Sequence, residues 1–382
     1  PITIKNNPDL NELIKRGKGY RESDKKIIKQ VTQKVFTEII PLYKKLYEKE
    51  QIEISTSPLY HPIVHLMIDN WMINGASTGG KLPRYRFQYA DDADAQIRKA
   101  KETAETIWGK EIKGIWPSEG SVSSEAVKCF AKNGFSWTAT DEEVLFRTLG
   151  IPIKRDQNGL LNQGEKLYQI WFFSDDNNKI AIFFRDRYLS DLIGFVYQHL
   201  TSNEAIEDMI SHLEKIMDNL PNDNNPVVSI ILDGENAWEY YDNNGFDFLS
   251  GLFKAVSQHT RIISITPSKY LNLPGSKPIL HSLVPGSWIY GSLNTWIGNE
   301  EKNWAWDQLF LVRQLLAKRE KDLDTERKHE VFNILYQAEG SDWFWWLGLD
   351  NHSVQKEDFR KQFLSLLQKI CDLIGERYPG EG

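Results

Sequence analysis

A chain of 382 residues, 41% hydrophobic and 26% charged, has the make-up of an ordinary folded soluble protein, which excludes a disordered or fibrous one. Its 46 basic and 53 acidic side chains leave a net charge of -7, which gives no support for binding a nucleic-acid backbone. No apolar run reaches membrane-spanning length, and residues 1–13 lack a signal-peptide core, so no membrane partner and a cytoplasmic location are expected.

In chain order, residues 22–50 carry Ile27, Ile28, Val31, Val35, Ile39, Ile40 and Leu46 at three-to-four spacing. That period predicts an amphipathic helix, bent or stopped near Pro41. A short strand follows, running from Gln51 into a loop at His61 and Pro62. Residues 91–109 predict a second helix, with Asp91 and Asp92 as cap and Ala93, Ile97, Ala100 and Ala104 on its apolar face. Residues 111–117 predict a strand, and Ser121 or Ser123 can cap the helix after it. Phe135 to Thr140 predicts another strand, closed by Asp141. The stretch 141–179 reads as an irregular polar excursion. Strands are then expected over Lys179 to Phe184, Val227 to Leu232 and Arg261 to Ile265, with helices near 203–220 and 245–258 between them.

This alternation requires a mainly parallel sheet covered by helices. Glu119, Asp141, Asp186 and Asp233 fall just after strand ends, the edge where barrels and open α/β sheets carry their sites. About five strands are too few to close a barrel. Residues 275–300, rich in Gly, Pro and Trp, mark a boundary near 275, and the remainder to 382 reads as largely helical. Cys129 and Cys371 have no ligand spacing or disulfide framework, so they are expected to be buried thiols.

Glu119, delivered by the Trp-Pro stop of Gly114-Ile-Trp-Pro-Ser-Glu, and Asp233, opening Asp-Gly-Glu after an apolar strand, form a candidate carboxylate pair. Two carboxyls about 5–5.5 Å apart would serve retaining glycoside hydrolysis, and a wider gap would serve inversion. The 13 Trp residues add candidate sugar platforms. Two alternatives stand beside this reading. Asp233, Glu235, Asp186, His61 and His65 could hold a metal for hydrolytic chemistry, although no compact ligand motif occurs. A nonenzymatic carbohydrate-binding module would use the aromatics but not the carboxylates.

The segments Glu53 to Ile63, Ile115-Trp-Pro-Ser-Glu-Gly120, Leu232-Asp-Gly-Glu-Asn-Ala-Trp238, Gly286-Ser-Trp-Ile289 with Thr295-Trp-Ile-Gly298, and Ala338 to Trp346 resemble glycoside hydrolase family 57, most closely its amylopullulanase-like members. The resemblance spans roughly 20–350. It implies an α/β fold: the C-terminal portion of an incomplete (β/α)7 barrel over 1–275, corresponding to strands 3 to 7, followed by a helical region over 276–382 that lends residues to the cleft. It implies a retaining enzyme on α-glucans, active on α-1,4 linkages with α-1,6 linkages as a further option, with Glu119 as nucleophile and Asp233 as acid/base. Tyr60, His61, Trp116, Arg185, Asp186, Glu235, Trp288, Trp296, Asp342 and Trp345 are the residues expected around the substrate. No metal or organic cofactor is called for. Transglycosylation, or a non-catalytic glucan-binding or regulatory subunit, are the alternatives. The family opens with a strand carrying His-Gln-Pro, which is not found here. The expectation is therefore that a companion polypeptide or a missing N-terminal segment supplies the first strands, since a sheet lacking them exposes apolar edges.

Overall fold

The computed structural model describes residues 7–73, 80–175, 178–221, 225–235, 237–275, 277–348 and 350–380. The chain divides into two compact units, Pro1–Ile54 and Ser55–Gly382. The expected boundary near 275 falls inside the second unit.

In the first unit, Asn7 caps the helix Pro8–Arg16, its side chain accepting from the Leu10 N–H at 2.9 Å. The helix Glu22–Glu48 follows. It continues through Pro41 rather than stopping there, at the cost of the one N–H that proline lacks.

The second unit is built on a six-stranded sheet in the order β1-β2-β3-β5-β4-β6. The strands are β1 (Ser55–Thr56), β2 (Gly114–Ile115), β3 (Trp137–Asp141), β4 (Trp171–Ser174), β5 (Lys179–Arg185) and β6 (Ile279–Leu280). Pairing is parallel from β1 through β2 and β3 to β5, antiparallel between β5 and β4, and parallel again between β4 and β6. Helices connect the parallel strands: Ala90–Trp108 before β2, Ser124–Lys132 before β3 and Glu142–Leu149 after it.

Strand alternation splits the side chains of β3 between two faces. Trp137 and Ala139 join Ala181 and Phe183 of β5, with Ile170 and Tyr270, in one buried apolar cluster. Thr138 and Thr140 turn their hydroxyls to the neighbouring segment instead, donating to the carbonyls of Ile115 at 2.9 Å and Gly120 at 2.6 Å. In register with Trp137 stands Gly114, and a Cβ there would lie 2.1 Å from the Trp137 ring.

Two expected strands do not form ladders. The run Val227 to Leu232 pairs with the sheet backbone only through a parallel bridge between Ser229 and Arg185. The cause is β4, unforeseen in the excursion 141–179, which covers the edge of β5 from Lys179 to Ile182 and leaves only its end free. Residues 261–265 form no ladder, and Ile263 is 82% exposed.

From 300 onward the unit is helical. Glu300–Arg319, Thr325–Ala338 and Lys356–Ile374 pack together, with Trp306 stacked on Phe344 at 4.3 Å and Phe363 beside it. Asp92 does not cap its helix as expected. It lies buried in the first turn and forms an ion pair with Arg313. Among the described residues no helix is long and apolar enough to cross a membrane.

Candidate active site

The site begins at the end of β2. The chain leaves Ile115 through Trp116 and Pro117 and enters a single tight turn, Ser118–Gly120. Glu119 sits in that turn at φ 56°, ψ 28°, a left-handed conformation that a residue with a Cβ rarely takes. The surroundings over-determine it. The Gly120 N–H donates to Pro117 O, the Ser121 N–H to Ser118 O, and the Trp288 N–H to Glu119 O at 3.2 Å. Thr140 holds the Gly120 carbonyl. The Gly120 backbone passes so close to Trp116 that a Cβ there would come within 3.1 Å of its ring.

Trp288 fixes the carboxylate. Its indole Nε1–H donates to Glu119 Oε2 at 2.9 Å. The indole in turn packs edge-on against Trp116, centroids 5.0 Å apart, and under the Arg185 guanidinium at 5.5 Å. Burial pushes the Glu119 carboxyl above its ordinary range, the Trp288 hydrogen bond pulls it down, and the negative charges of Asp233 and Asp342 push it up again. Asp233 and Asp342 are themselves exposed, and both also act on His61. Three carboxyls and an imidazole thus share one electrostatic environment. Of these four, Asp233 borders a cavity of about 490 Å³, lined by Trp116, Trp137, Phe183, Tyr270, Trp288 and the segment Val227 to Gly234.

The helical region builds a second wall around Tyr60 and His61. Ser341 donates its backbone N–H to the His61 carbonyl at 3.1 Å, and its hydroxyl lies 2.9 Å from His61 Nδ1. The Tyr60 hydroxyl donates to Asn333 Oδ1 at 3.0 Å. Tyr60 and His61 both have positive φ, and the close approach of Gly340 to the Tyr60 carbonyl leaves no room for a Cβ, which would lie 2.8 Å from that oxygen. Burial holds the His61 imidazole below its ordinary pKa, so it stays neutral at pH 7, with Asp342 and then Asp233 opposing that shift.

Of the expected residues, Glu119, Asp233, Trp116 and Trp288 border this space or one another, and Tyr60, His61 and Asp342 stand on the second wall. Glu235 is exposed one residue beyond Gly234, and Asn236 of the same motif lies outside the described residues. Three residues expected at the substrate, Asp186, Trp296 and Arg185, are buried instead. Asp186 is fully buried: its carboxylate accepts from Tyr168 Oη at 2.7 Å, from the Leu189 N–H at 2.9 Å, and pairs with Arg155 at 3.2 Å. It is a helix cap and ion-pair partner, not a sugar contact. Trp296 is fully buried, with the Trp306 indole donating to its carbonyl at 3.0 Å, so its ring offers no platform. Trp345 is half-buried against it, centroids 6.0 Å apart.

Arg185 is also buried and works through other residues. It donates to Ile231 O at 2.7 Å and pairs with Asp141 at 3.1 Å and Asp191 at 2.6 Å. It thereby ties the segment leading to Asp233 to the end of β5. Around it Asp141, Glu142 and Asp186 face Arg155 and Arg187. Burial pushes Glu142 up to about 7; Arg155 opposes this, and Asp186 and Asp141 add to it.

The alternative metal set is not brought together. Asp186 is spent as described. His65 is buried, its Nε2 2.7 Å from the Met72 carbonyl and its Nδ1 2.9 Å from Ser123 Oγ. The carbonyl can only accept, so Nε2 carries the proton and Nδ1 accepts from the serine. No group of three or more His, Cys, Asp or Glu side chains among the described residues is arranged to hold a metal ion.

Residues 19–281 match the model of glycosyl hydrolase family 57. No curated protein matches the chain by sequence. Among solved structures it is similar to TK1436, a branching enzyme of Thermococcus kodakaraensis, at 16% identity and TM-score 0.68, over 95% of this chain and 74% of that one. It is similar to the α-amylase AmyC of Thermotoga maritima at 16% identity and TM-score 0.65, over 98% and 76%. It is similar to the 4-α-glucanotransferase of Thermococcus litoralis at 18% identity and TM-score 0.61, over 90% and 51%. At these identities the likeness establishes a shared α/β fold, with the sheet as part of a (β/α)7 barrel.

Proposed function

We propose, for a chain that belongs to glycosyl hydrolase family 57, that it is a retaining glycoside hydrolase acting on α-glucans, of amylase or amylopullulanase type. The observation that carries this is Glu119: a carboxylate in a strained turn, oriented by an indole N–H and influenced by Asp233 and Asp342. Strain of that kind persists where a side chain must be aimed.

In this reading Asp233 protonates the glycosidic oxygen while Glu119 attacks the anomeric carbon, breaking the C–O bond and forming a glycosyl ester. Asp233 then takes a proton from water, whose oxygen displaces Glu119. An acceptor sugar hydroxyl in place of that water would give transglycosylation. Trp116 and Trp288 offer ring surface beside the carboxylates, and Tyr60, His61 and Asp342 complete the second wall. We also propose that the first barrel strands come from a companion chain or a further segment, supported by the exposed Ile263 beside residues that form no ladder. Particle size in solution tests this: an active particle of 44.3 kDa overturns it.

Incubation of the native particle with amylose, pullulan and glycogen, with products resolved by linkage and anomeric configuration, tests the main reading. Released sugars of retained α configuration are expected. Inverted products sink the double displacement, and an inert particle sinks the hydrolase.

A further inference from the structure

Strained backbone at the site points to a residue that no motif named. Among the described residues, eight other than glycine adopt positive φ. Three are asparagines, which tolerate that region, and Glu50 follows a helix end. The remaining four are Tyr60, His61, Glu119 and Tyr290. The first three belong to the walls already described. Tyr290, at φ 53°, is the fourth.

The loop that carries it is rigidly built. Gly286 and Val122 exchange backbone hydrogen bonds at 2.8 and 3.1 Å, anchoring the loop beside the Glu119 turn. The Ser287 hydroxyl donates to the Ser292 carbonyl at 2.6 Å and accepts from the Ile289 N–H at 3.1 Å. Arg147 donates to the Gly291 carbonyl. Glycine is used where close approach demands it: a Cβ at 291 would lie 2.2 Å from the Glu143 side chain. At 290 the chain instead holds a tyrosine in a disfavoured conformation, with the residue 88% exposed. Backbone preference disfavours tyrosine there, and so exposed a ring gains little from packing. The same loop sets Trp288 on Glu119, and two residues of chain span at most about 7 Å.

We infer that Tyr290 is a sugar-stacking residue, presenting its ring face to a glucosyl unit adjoining the one bound at Glu119. A flat apolar face with a polar tip suits the apolar face and rim hydroxyls of a pyranose. The assignment rests on the α-glucan reading and adds a binding position to it.

The test uses the full chain made catalytically silent by Glu119→Gln, titrated with maltoheptaose in a calorimeter. Adding Tyr290→Ala should weaken maltoheptaose binding about tenfold, the loss typical of removing one aromatic anchor, while Tyr290→Phe stays within about twofold. Tyr290→Gly should lose binding like the alanine variant yet melt no lower than the parent, because glycine relieves the positive φ. Unchanged affinity in Tyr290→Ala overturns the assignment alone. Binding and melting temperature falling together in the glycine variant also overturns it, in favour of a structural role. A parent that binds no α-glucan overturns the functional reading, and this assignment with it.

Discussion

The indole N–H of Trp288 donates to Glu119 Oε2 at 2.9 Å, and it lowers the Glu119 pKa against burial, Asp233 and Asp342. Trp288→Phe removes the donor and keeps a ring against Trp116 and Arg185. A hydrogen bond to a charged group contributes about 1.5–3 kcal/mol. In the variant, kcat/KM should therefore fall roughly ten- to hundredfold. The carboxyl loses its downward influence, so the acid limb of the kcat/KM profile should move to higher pH. An unmoved limb would show that the indole only stacks.

Glu119→Gln separates chemistry from fold. As the nucleophile's replacement it should lower kcat by about 10⁴-fold or more. Stability should move the other way. The folded pKa of Glu119 is raised, so its contribution to stability is fully present below the ordinary value of 4.5 and is lost as pH rises through the folded pKa. Glutamine titrates nowhere. The variant should melt above the unaltered chain at pH 7, and the gap should close towards pH 4. Parallel melting curves at both pH values would contradict the buried, raised carboxyl.

Much of this site was legible in the residues because strand ends are marked locally. The Trp-Pro stop before Glu119 and the apolar run before Asp233 both deliver a carboxylate where the sequence suggests. What was not legible depends on distant partners. Asp186 has the same local signature as Asp233, but Tyr168 and Arg155, from an excursion without a clear period, take up its carboxylate. Trp288 and Trp296 lie eight residues apart in one aromatic loop. Only the packing of the latter with Trp306 and Trp345 decides which ring reaches the cleft. Val227 to Leu232 has every mark of a central strand, and it fails to ladder because β4 already occupies that edge of β5.

The fit of β2 to β3 gives a stability prediction. The Trp137 ring lies over Gly114, where an added Cβ would approach to 2.1 Å. Gly114→Ala must displace an indole packed with Phe183, centroids 5.8 Å apart, in the cluster beneath the cavity. Overpacking of this kind typically costs about 1–3 kcal/mol. Chemical denaturation should show that loss, and Trp137→Leu in the same chain should recover part of it. A neutral Gly114→Ala would mean the ring has another place to go.

Behind the second wall, Glu339 is completely buried and its carboxyl is raised well above the ordinary value. Burial is the main cause, with the charge of Asp92 adding to it and Arg313 opposing it. Asp92 already takes up Arg313 through two hydrogen bonds at 2.6 and 3.1 Å, so one guanidinium faces two carboxyls. Keeping Glu339 protonated balances that charge. Its Oε2 accepts from Gln96 Nε2 at 2.7 Å, and the next residues, Gly340 and Ser341, are those that meet Tyr60 and His61. Glutamine is isosteric with the protonated acid, so Glu339→Gln should cost less than about 1 kcal/mol and preserve activity. Glu339→Ala leaves Gln96 and Asp92 without that partner and opens a void. A loss of about 2–4 kcal/mol is expected, with activity falling as the His61 wall loosens. The glutamine variant should also hold its stability better as pH rises, because a raised carboxyl loses its contribution on ionising. Equal damage from both substitutions would mean that Glu339 is charged in the fold and that the network is balanced in another way.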